Sequence, residues 1–234
     1  MKQSMLKYFI SILVLLVTIS VTAQEETATD SLKSKDKYGL RVGIDISKPI
    51  ISIFNGKIKG FEILGDFRIK KNLYAAIELG AYDRDTQEYF FSFNTKGSYI
   101  KIGGNYNLYE NWPNMNNEIF VGLRYGLSSF SQTLKSYTPN IDGTYFEENT
   151  ITPNQKFDNL SAQWAEIVIG LKVETLENVY LGASIGLKKL VDEKEPTSFK
   201  NLYIPGFERV FSNDTGFSFN YSISYLIPIY KKNK

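Results

Sequence analysis

The feature that most constrains this chain is a two-residue alternation in residues 216–230, GFSFNYSISYLIPIY. Every odd position from Phe217 to Ile229 is apolar or aromatic, whereas the even positions from Gly216 to Ser224 are small or polar. Successive side chains of a β-strand point to opposite faces, so the segment is predicted to be a strand with one apolar and one polar face. About 9–11 residues of such a strand cross a bilayer at a tilt, and this segment is longer.

Seven further segments share this alternation, and none of the eight apolar faces carries Lys, Arg, Asp or Glu. The links between them alternate in length, and short periplasmic turns with long outer loops are typical of outer-membrane barrels. We therefore predict an all-β fold, an eight-stranded antiparallel transmembrane β-barrel of outer-membrane type with both termini periplasmic. The seven segments are residues 38–47, 60–69, 72–82, 97–107, 118–128, 164–174 and 179–188.

Alternation alone leaves the facing of the barrel open, because a soluble lipocalin-like barrel would turn its apolar faces inward. Three features favour the membrane arrangement. Glycines such as Gly43 and Gly126 lie on the polar faces, where a narrow lumen needs space; the loops are asymmetric; and the last strand ends on the aromatic Tyr230. Aromatic residues near strand ends, Tyr38 among them, are expected to lie outward at the headgroup level.

The predicted polar faces together carry seven acidic and six basic side chains. An eight-stranded barrel has an interior just wide enough for side chains. We therefore expect these charges to pair with one another rather than to form a catalytic pair of carboxylates. The predicted lumen charge network consists of Arg41, Asp45, Glu62, Asp66, Arg68, Glu78, Lys101, Glu118, Arg124, Glu166, Lys172, Glu174 and Lys188.

The first 23 residues have the organisation of a secretory signal peptide. Lys2 and Lys7 precede an apolar run that ends at Val21, and small or branched residues up to Ala23 form a possible cleavage site. The run is short for a spanning helix, which needs about 20 apolar residues. A retained membrane anchor is the alternative interpretation.

The remaining chain is predicted to have three parts. Residues 24–37 are polar and without apolar periodicity, which predicts a flexible periplasmic arm. The barrel domain covers residues 38–230, and residues 231–234 form a C-terminal tail. Within the arm, Asp30-Ser31-Leu32 resembles an O-glycosylation acceptor of Bacteroidota, with an unmodified linker as the alternative.

The chain contains no histidine and no cysteine, which excludes many kinds of catalytic and metal site. Ser-His-Asp triads, thiol nucleophiles and most zinc sites need one or the other. No Walker loop, dinucleotide fingerprint or EF-hand spacing occurs. We therefore expect no enzymatic activity, no cofactor and no metal. A net charge of +2 gives no electrostatic argument for binding nucleic acid.

Six strings spread along the chain are characteristic when taken together. They are KDKYGLRVGID (35–45), KGSYIKIG (96–103), NYNLYENW (105–112), VGLRYG (121–126), NLYIPGF (201–207) and YLIPIYK (225–231). Together they resemble a Bacteroidota family of unknown function, domain of unknown function 6048. The resemblance covers nearly all of the mature chain. It implies an outer-membrane barrel in a Gram-negative cell, and it implies no activity or catalytic residue.

The leading functional hypothesis is a non-enzymatic barrel with a structural or interaction role through its outer loops. Its expected partners are outer-membrane lipid and other envelope proteins or glycans. A small-solute pore and a lipid-active enzyme are the alternatives. The long links 129–163 and 189–215 are rich in aromatic residues, which are rare in disordered loops. Either they extend the hairpins and pack a small cap, or Tyr203 and Phe207 form an exposed contact surface.

Overall fold

The computed structural model describes residues 35–110, 115–139, 150–196 and 199–233. The predicted signal peptide, residues 24–34 of the predicted arm and the candidate acceptor at Ser31 lie outside these ranges. The elements in chain order are β1 (Lys35–Asp45), α1 (Ser47–Phe54), β2 (Ile58–Lys70), β3 (Leu73–Gln87), β4 (Phe91–Asn107), β5 (Glu118–Tyr137), β6 (Gln155–Leu176), β7 (Val179–Glu193), β8 (Tyr203–Ile204), β9 (Glu208–Arg209) and β10 (Thr215–Asn233).

Eight of the strands form a closed antiparallel barrel, in the order β1-β10-β7-β6-β5-β4-β3-β2, and β8 and β9 form a separate small hairpin. The predicted eight-stranded all-β fold is thus confirmed. Following the paired residues around the barrel from Thr215 of β10 leads back to Tyr225, ten residues further along the same strand. A stagger of this kind requires tilted strands, and eight tilted strands enclose a lumen that side chains can fill.

The strands turn their apolar faces outward and their polar faces into the barrel. On β6, Ile167 is 50% exposed whereas the adjacent Val168 is 6% exposed. The other strands follow the same rule, so the lipocalin-like facing considered above is wrong. Large apolar side chains on the outer surface include Leu40, Ile44, Ile63, Leu79, Ile102, Leu123, Leu171, Ile185, Phe219 and Ile223.

Several strands continue well beyond their predicted outer ends. β5 runs to Tyr137 and β6 begins at Gln155, so much of the predicted link 129–163 is strand. β4 begins at Phe91, within the predicted link 83–96. The alternation persists in these extensions, but most of their outward positions are polar, as at Ser129 and Lys135. The apolar pattern therefore ended before the strands did.

Both ends of the barrel domain are also longer than predicted. β1 begins at Lys35 and pairs with the last residues of β10, up to Asn233. Residues 35–37 of the predicted arm and residues 231–233 of the predicted tail are therefore strand. Backbone pairing joins the two segments, although the sequence there has no apolar alternation.

Tyr38 does not face outward as expected. A register shift between Tyr38 and Gly39 interrupts the alternation of β1. The tyrosine ring is buried, and the Arg68 guanidinium carbon lies 4.6 Å from its centroid. An irregularity of this kind turns a side chain to the other face, which a strict two-residue pattern does not anticipate.

Helix α1 occupies part of the link between β1 and β2, where no helix was predicted. Asp45 Oδ1 accepts hydrogen bonds from the Ser47 backbone nitrogen at 2.7 Å and the Ser47 hydroxyl at 2.6 Å, which satisfies a free donor of the first turn. Pro49 lies in that turn, where its missing N–H is harmless. In the described part of the chain, no helix has the length and apolar character needed to cross a membrane.

The shortest strand pairing in the barrel wall is the one between β1 and β2, beside this helix. The pairing of β1 with β2 runs from Leu40–Phe67 to Ile44–Ile63, five residue pairs. Every other neighbouring pair of barrel strands has at least eleven. The chain leaves the wall after Asp45 because α1 begins there.

Candidate functional site

The barrel interior is the most distinctive chemical environment of this protein, and its outer half is organised around Glu62. The Glu62 carboxylate accepts a short hydrogen bond from the Tyr99 hydroxyl and a bond from Lys48 Nζ at 3.1 Å. Asn220 Nδ2 donates to it at 3.2 Å, and Lys101 Nζ lies 3.7 Å away. This buried carboxylate is therefore surrounded by donors and cations from three other elements, α1, β4 and β10.

A second group of charges lies next to Lys101. Lys101 Nζ is 2.5 Å from Glu78 Oε2, and Arg124 Nε donates to Glu78 Oε1 at 2.9 Å. Arg124 also donates to the backbone oxygens of Gly104 and Leu123, each at 3.1 Å. Glu78 is thus held between two cations, and the arginine has further fixed acceptors.

Glu166 links these residues to the far wall. Its carboxylate oxygens lie 4.0 Å from Lys101 Nζ and 4.0 Å from Lys188 Nζ, and the Ser218 hydroxyl donates to Oε1 at 3.3 Å. Gly186 makes space for this carboxylate, because a Cβ there would overlap Glu166 Oε1. The glycine on the polar face of β7 therefore permits a charge on β6.

The inner half of the lumen is organised around Arg41. Arg41 forms ion pairs with Glu118 and with Asp66, the latter at 3.7 Å, and Lys172 pairs with Asp66. The Arg41 guanidinium carbon lies 4.2 Å from the centroid of the Tyr180 ring. A guanidinium over an aromatic face is favourable, so the arginine has both ionic and aromatic partners.

The remaining predicted lumen residues occupy the inner and outer ends of this interior. At the inner end, Arg68 donates to the Lys71 backbone oxygen at 2.6 Å, and Glu174 pairs with Lys37 at 3.4 Å. At the outer end, Asp45 accepts hydrogen bonds from Ser47 at the start of helix α1. All thirteen predicted residues lie inside the barrel, and the structure brings them together into these connected groups.

Sequence reasoning missed Lys48, which lies in the first turn of helix α1. Its ammonium group lies 3.3 Å from Asp45 Oδ2 and 3.1 Å from Glu62 Oε2. Asp45, Ser47 and Pro49 before and within the first helical turn were the available signal, since an acidic acceptor and an early proline favour helix starts. Tyr99 and Tyr180 point into the lumen from β4 and β7, and the alternation alone does not identify them as partners of the charges.

Tyr203 and Phe207 do not form an exposed contact surface. Their exposed fractions are 6% and 0%, because the chain between β7 and β10 folds into the outer mouth of the barrel. Phe207 packs edge-on against Trp164 with ring centroids 5.8 Å apart, and Tyr203 lies near Phe93. The structure instead has the cap considered in the sequence analysis. The strands extend the hairpins, and the aromatic residues pack together at the outer mouth.

Gly206 permits this inward fold. Its φ of +80° lies in the left-handed region that favours glycine, and a Cβ would overlap the Tyr99 ring. Lys188 Nζ donates to the backbone oxygens of Gly206 at 2.8 Å and Phe207 at 3.3 Å. The Gln132 side-chain amide donates a hydrogen bond to the backbone oxygen of Tyr203 at 3.2 Å. We refer to residues 203–209 as the inner loop.

The space left inside the barrel is small. A cavity of about 60 Å³ is lined by residues of the charge network, including Glu62, Glu78, Arg124 and Lys172, and by Gly206 of the inner loop. This volume has room for a few water molecules. Among the described residues, no group of three or more acidic side chains is arranged to hold a metal ion.

Two carboxyl groups beyond the apolar part of the wall have shifted pKa values. Hydrogen bonds from Lys135 Nζ at 2.6 Å and Asn94 Nδ2 at 2.9 Å hold the pKa of Asp85 below its ordinary value. Burial raises the pKa of Glu193, although a 2.8 Å hydrogen bond from Asn201 acts in the opposite direction. The strand extensions therefore carry their own polar contacts.

The fold and its interior define a class, the closed eight-stranded antiparallel barrels with an apolar outer surface and a lumen filled by paired charges. The chain belongs to the family described as Domain of unknown function (DUF6048), which matches residues 5–232. This agrees with the resemblance noted in the sequence. No curated protein is significantly similar to the chain in sequence.

Two solved structures are similar to this one. Ail, the attachment invasion locus protein of Yersinia pestis, has 10% sequence identity and a TM-score of 0.38, with 84% of this chain and 100% of that chain covered. Neisserial surface protein A (NspA) has 10% identity and a TM-score of 0.40, with 81% of this chain and 96% of that chain covered.

Proposed function

We propose that this protein is an outer-membrane β-barrel with a sealed interior and a structural or interaction role, and that it is not an enzyme. The observation that carries the proposal is the apolar surface around the whole barrel, which encloses paired charges. Exposing apolar surface to water costs about 25 cal/mol per Å². In a bilayer the same surface is favourable, and a closed barrel leaves no unpaired strand edge in the lipid.

The orientation in the membrane is part of the proposal. The start of β1 and the end of β10 lie at the same end of the barrel as the short β2–β3 and β6–β7 turns. Short turns belong to the periplasmic side in outer-membrane barrels. Both termini would then be periplasmic. Assignment to a Gram-negative Bacteroidota cell stays a prediction of the sequence.

The filled lumen supports a sealed barrel over a small-solute pore. Arg41 pairs with Glu118 and Lys172 pairs with Asp66 across the interior from opposite walls, and the inner loop occupies the outer mouth. Among the described lumen residues, the cavity of about 60 Å³ beside Glu62 and Arg124 has room for only a few waters. Opening a continuous path would require breaking several buried ion pairs, each costing about 3–5 kcal/mol when one partner is lost.

An interaction role would rest on the outer hairpins rather than on Tyr203 and Phe207. At the tip of the β3–β4 hairpin, Tyr89 is 89% exposed and packs edge-on against Phe90 at a centroid distance of 4.6 Å. Exposed aromatic side chains are enriched at binding sites. Other envelope proteins or glycans are the proposed partners of this tip.

The membrane location is tested by placing arginine at two depths on β6. Ile167→Arg puts a charge in the middle of the apolar surface, and it should cost about 2–4 kcal/mol of folding free energy in vesicles. Leu176→Arg, at the inner end of the same strand, is the matched control and should cost about 1 kcal/mol or less. Equal small effects at both sites would contradict a membrane-embedded wall.

The sealed lumen is tested by conductance of the wild-type protein in planar bilayers. We expect no steady single-channel current under conditions in which insertion is verified independently by protease protection. Reproducible channels would overturn the sealed barrel and support the pore.

The interaction role is tested by crosslinking. A photoreactive residue at Tyr89 should crosslink a partner in the intact envelope, whereas one at the exposed Lys156 should not. Identical adducts at both sites, or none, would overturn the assignment to this tip.

A further inference from the structure

Helix α1 presents its apolar side chains away from the rest of the protein. Ile53 and Phe54 are 79% and 76% exposed, and Ile50 and Ile51 are nearly half exposed. The polar residues on the other side, Lys48 and Ser52, make hydrogen bonds within the fold. The helix therefore has the same polarity as the barrel strands, with polar groups inward and apolar groups outward.

Two contacts fix the helix in the plane of the barrel wall. Just before the helix begins, the Ile46 backbone nitrogen donates a hydrogen bond to the backbone oxygen of Tyr221 in β10 at 2.7 Å. The Gly60 nitrogen of β2 donates to the Ser52 hydroxyl at 3.4 Å. The helix thus lies between β10 and β2, where β1 has ended. It covers the position at which a longer β1 would have continued the wall.

The outward surface on both sides of the helix is apolar, and on the β2 side it is followed by a cationic residue. Phe61 of β2 and Phe219 of β10 point outward on the flanking strands, and both are exposed. Two residues beyond Phe61 on the same face of β2 is Lys59, which is also exposed. Lysines commonly extend to the headgroups at the edge of an apolar surface. The helix is therefore level with the outer edge of the apolar wall.

We propose that helix α1 is a membrane-facing part of the barrel wall, whose apolar face contacts the acyl chains of the outer leaflet just below the headgroups. This inference rests on the proposed membrane location. The occupant is lipid because the apolar face of the helix continues that of β2 and β10. An eight-residue helix is about 12 Å long, enough to cover the gap beside β1 without crossing the bilayer.

The absence of cysteine makes a direct test simple, since single cysteines can be introduced for nitroxide labels. The full chain is refolded in phosphatidylcholine vesicles, and collision of each label with oxygen and with a water-soluble nickel complex is measured. Ile53→Cys reports on the helix. Ile167→Cys is the lipid control, and Ser212→Cys, in an exposed turn, is the water control.

We expect the oxygen-to-nickel accessibility ratio of the Ile53 label to be closer to that of Ile167 than to that of Ser212. A ratio closer to the Ser212 value, while Ile167 lies in lipid, would overturn the inference about the helix and leave the membrane location intact. If the Ile167 label also matched Ser212, the proposed membrane location itself would fail. Phe54→Cys, on the same face, provides an independent second reading.

Discussion

Lys48 Nζ lies 3.1 Å from Glu62 Oε2 inside the barrel, although the lysine belongs to helix α1 and the glutamate to strand β2. The strands alone supply seven acidic and six basic residues to the predicted network, and Lys48 brings the basic residues to seven. A helix outside the strand pattern thus adds a cation to the predicted network. The same side chain ties the helix to the wall.

We expect Lys48→Met to lower the free energy of unfolding in vesicles by about 3 kcal/mol, because Glu62 loses its closest cation in a buried site. Lys57→Met is the matched control. Lys57 is exposed in the same link and its ammonium group donates to Gln87 at 3.2 Å, so its loss should cost about 1 kcal/mol or less. Urea titration measures both, and equal losses would show that Lys48 does not stabilise the network.

Glu78 and Arg124 should behave as a coupled pair. Each single change to alanine is expected to cost about 3–5 kcal/mol, because it leaves a buried charge with fewer partners. The double variant should cost less than the sum of the two. The exposed pair Lys156–Asp158, at 2.8 Å, is the control, and Asp158→Ala should change stability by less than about 1 kcal/mol. Strict additivity of Glu78→Ala and Arg124→Ala would refute the coupling.

Gly206→Ala should displace the inner loop. Left-handed backbone costs a residue with a Cβ about 1–2 kcal/mol, and here the Cβ also overlaps the Tyr99 ring. We expect faster trypsin cleavage after Arg209 in the folded, inserted protein. Gly56→Ala is the control, since nothing lies within 4 Å of its Cβ position. Unchanged cleavage in the Gly206 variant would mean that the loop tolerates the methyl group.

The contact between Asp85 and Lys135 should make the outer strand extensions sensitive to acid. The pKa of Asp85 is lowered in the folded protein, so its contribution to stability is present above the unfolded carboxyl pKa of about 3.9 and is lost as the pH falls. Wild type should be more stable than Asp85→Asn at pH 7, and the difference should shrink towards pH 3. A difference independent of pH would rule out ionisation of Asp85 as the cause.

Most of the strand pattern could be predicted because one physical rule operates along the barrel wall. Each strand has an apolar outer face and a face in the crowded lumen, so residue type predicts that Ile167 points outward and the neighbouring Glu166 points inward. The charges of the lumen, such as Glu62 and Arg124, follow from the same alternation. Their partners across the barrel depend on strand tilt and stagger, which the alternation does not encode.

The features that were missed are those in which a tertiary contact overrides the local pattern. Tyr38 turns inward because of an irregularity in β1 rather than because of its type. Tyr203 and Phe207 are aromatic residues in a long link, and such residues suit an exposed contact and a buried cap equally well. Their burial depends on Gly206 and Lys188, which are distant from one another in the chain and meet only in the fold.

The short β1–β2 pairing marks the place where the barrel wall is expected to open most readily. Local fluctuations occur most readily where the fewest backbone hydrogen bonds must break together. In this barrel that place is not the junction of the terminal strands β1 and β10, which pair over eleven residues, but the seam next to it. Local opening of the barrel wall is therefore expected between β1 and β2, and helix α1, which is bonded to β10 and β2, closes the outer end of this weaker junction.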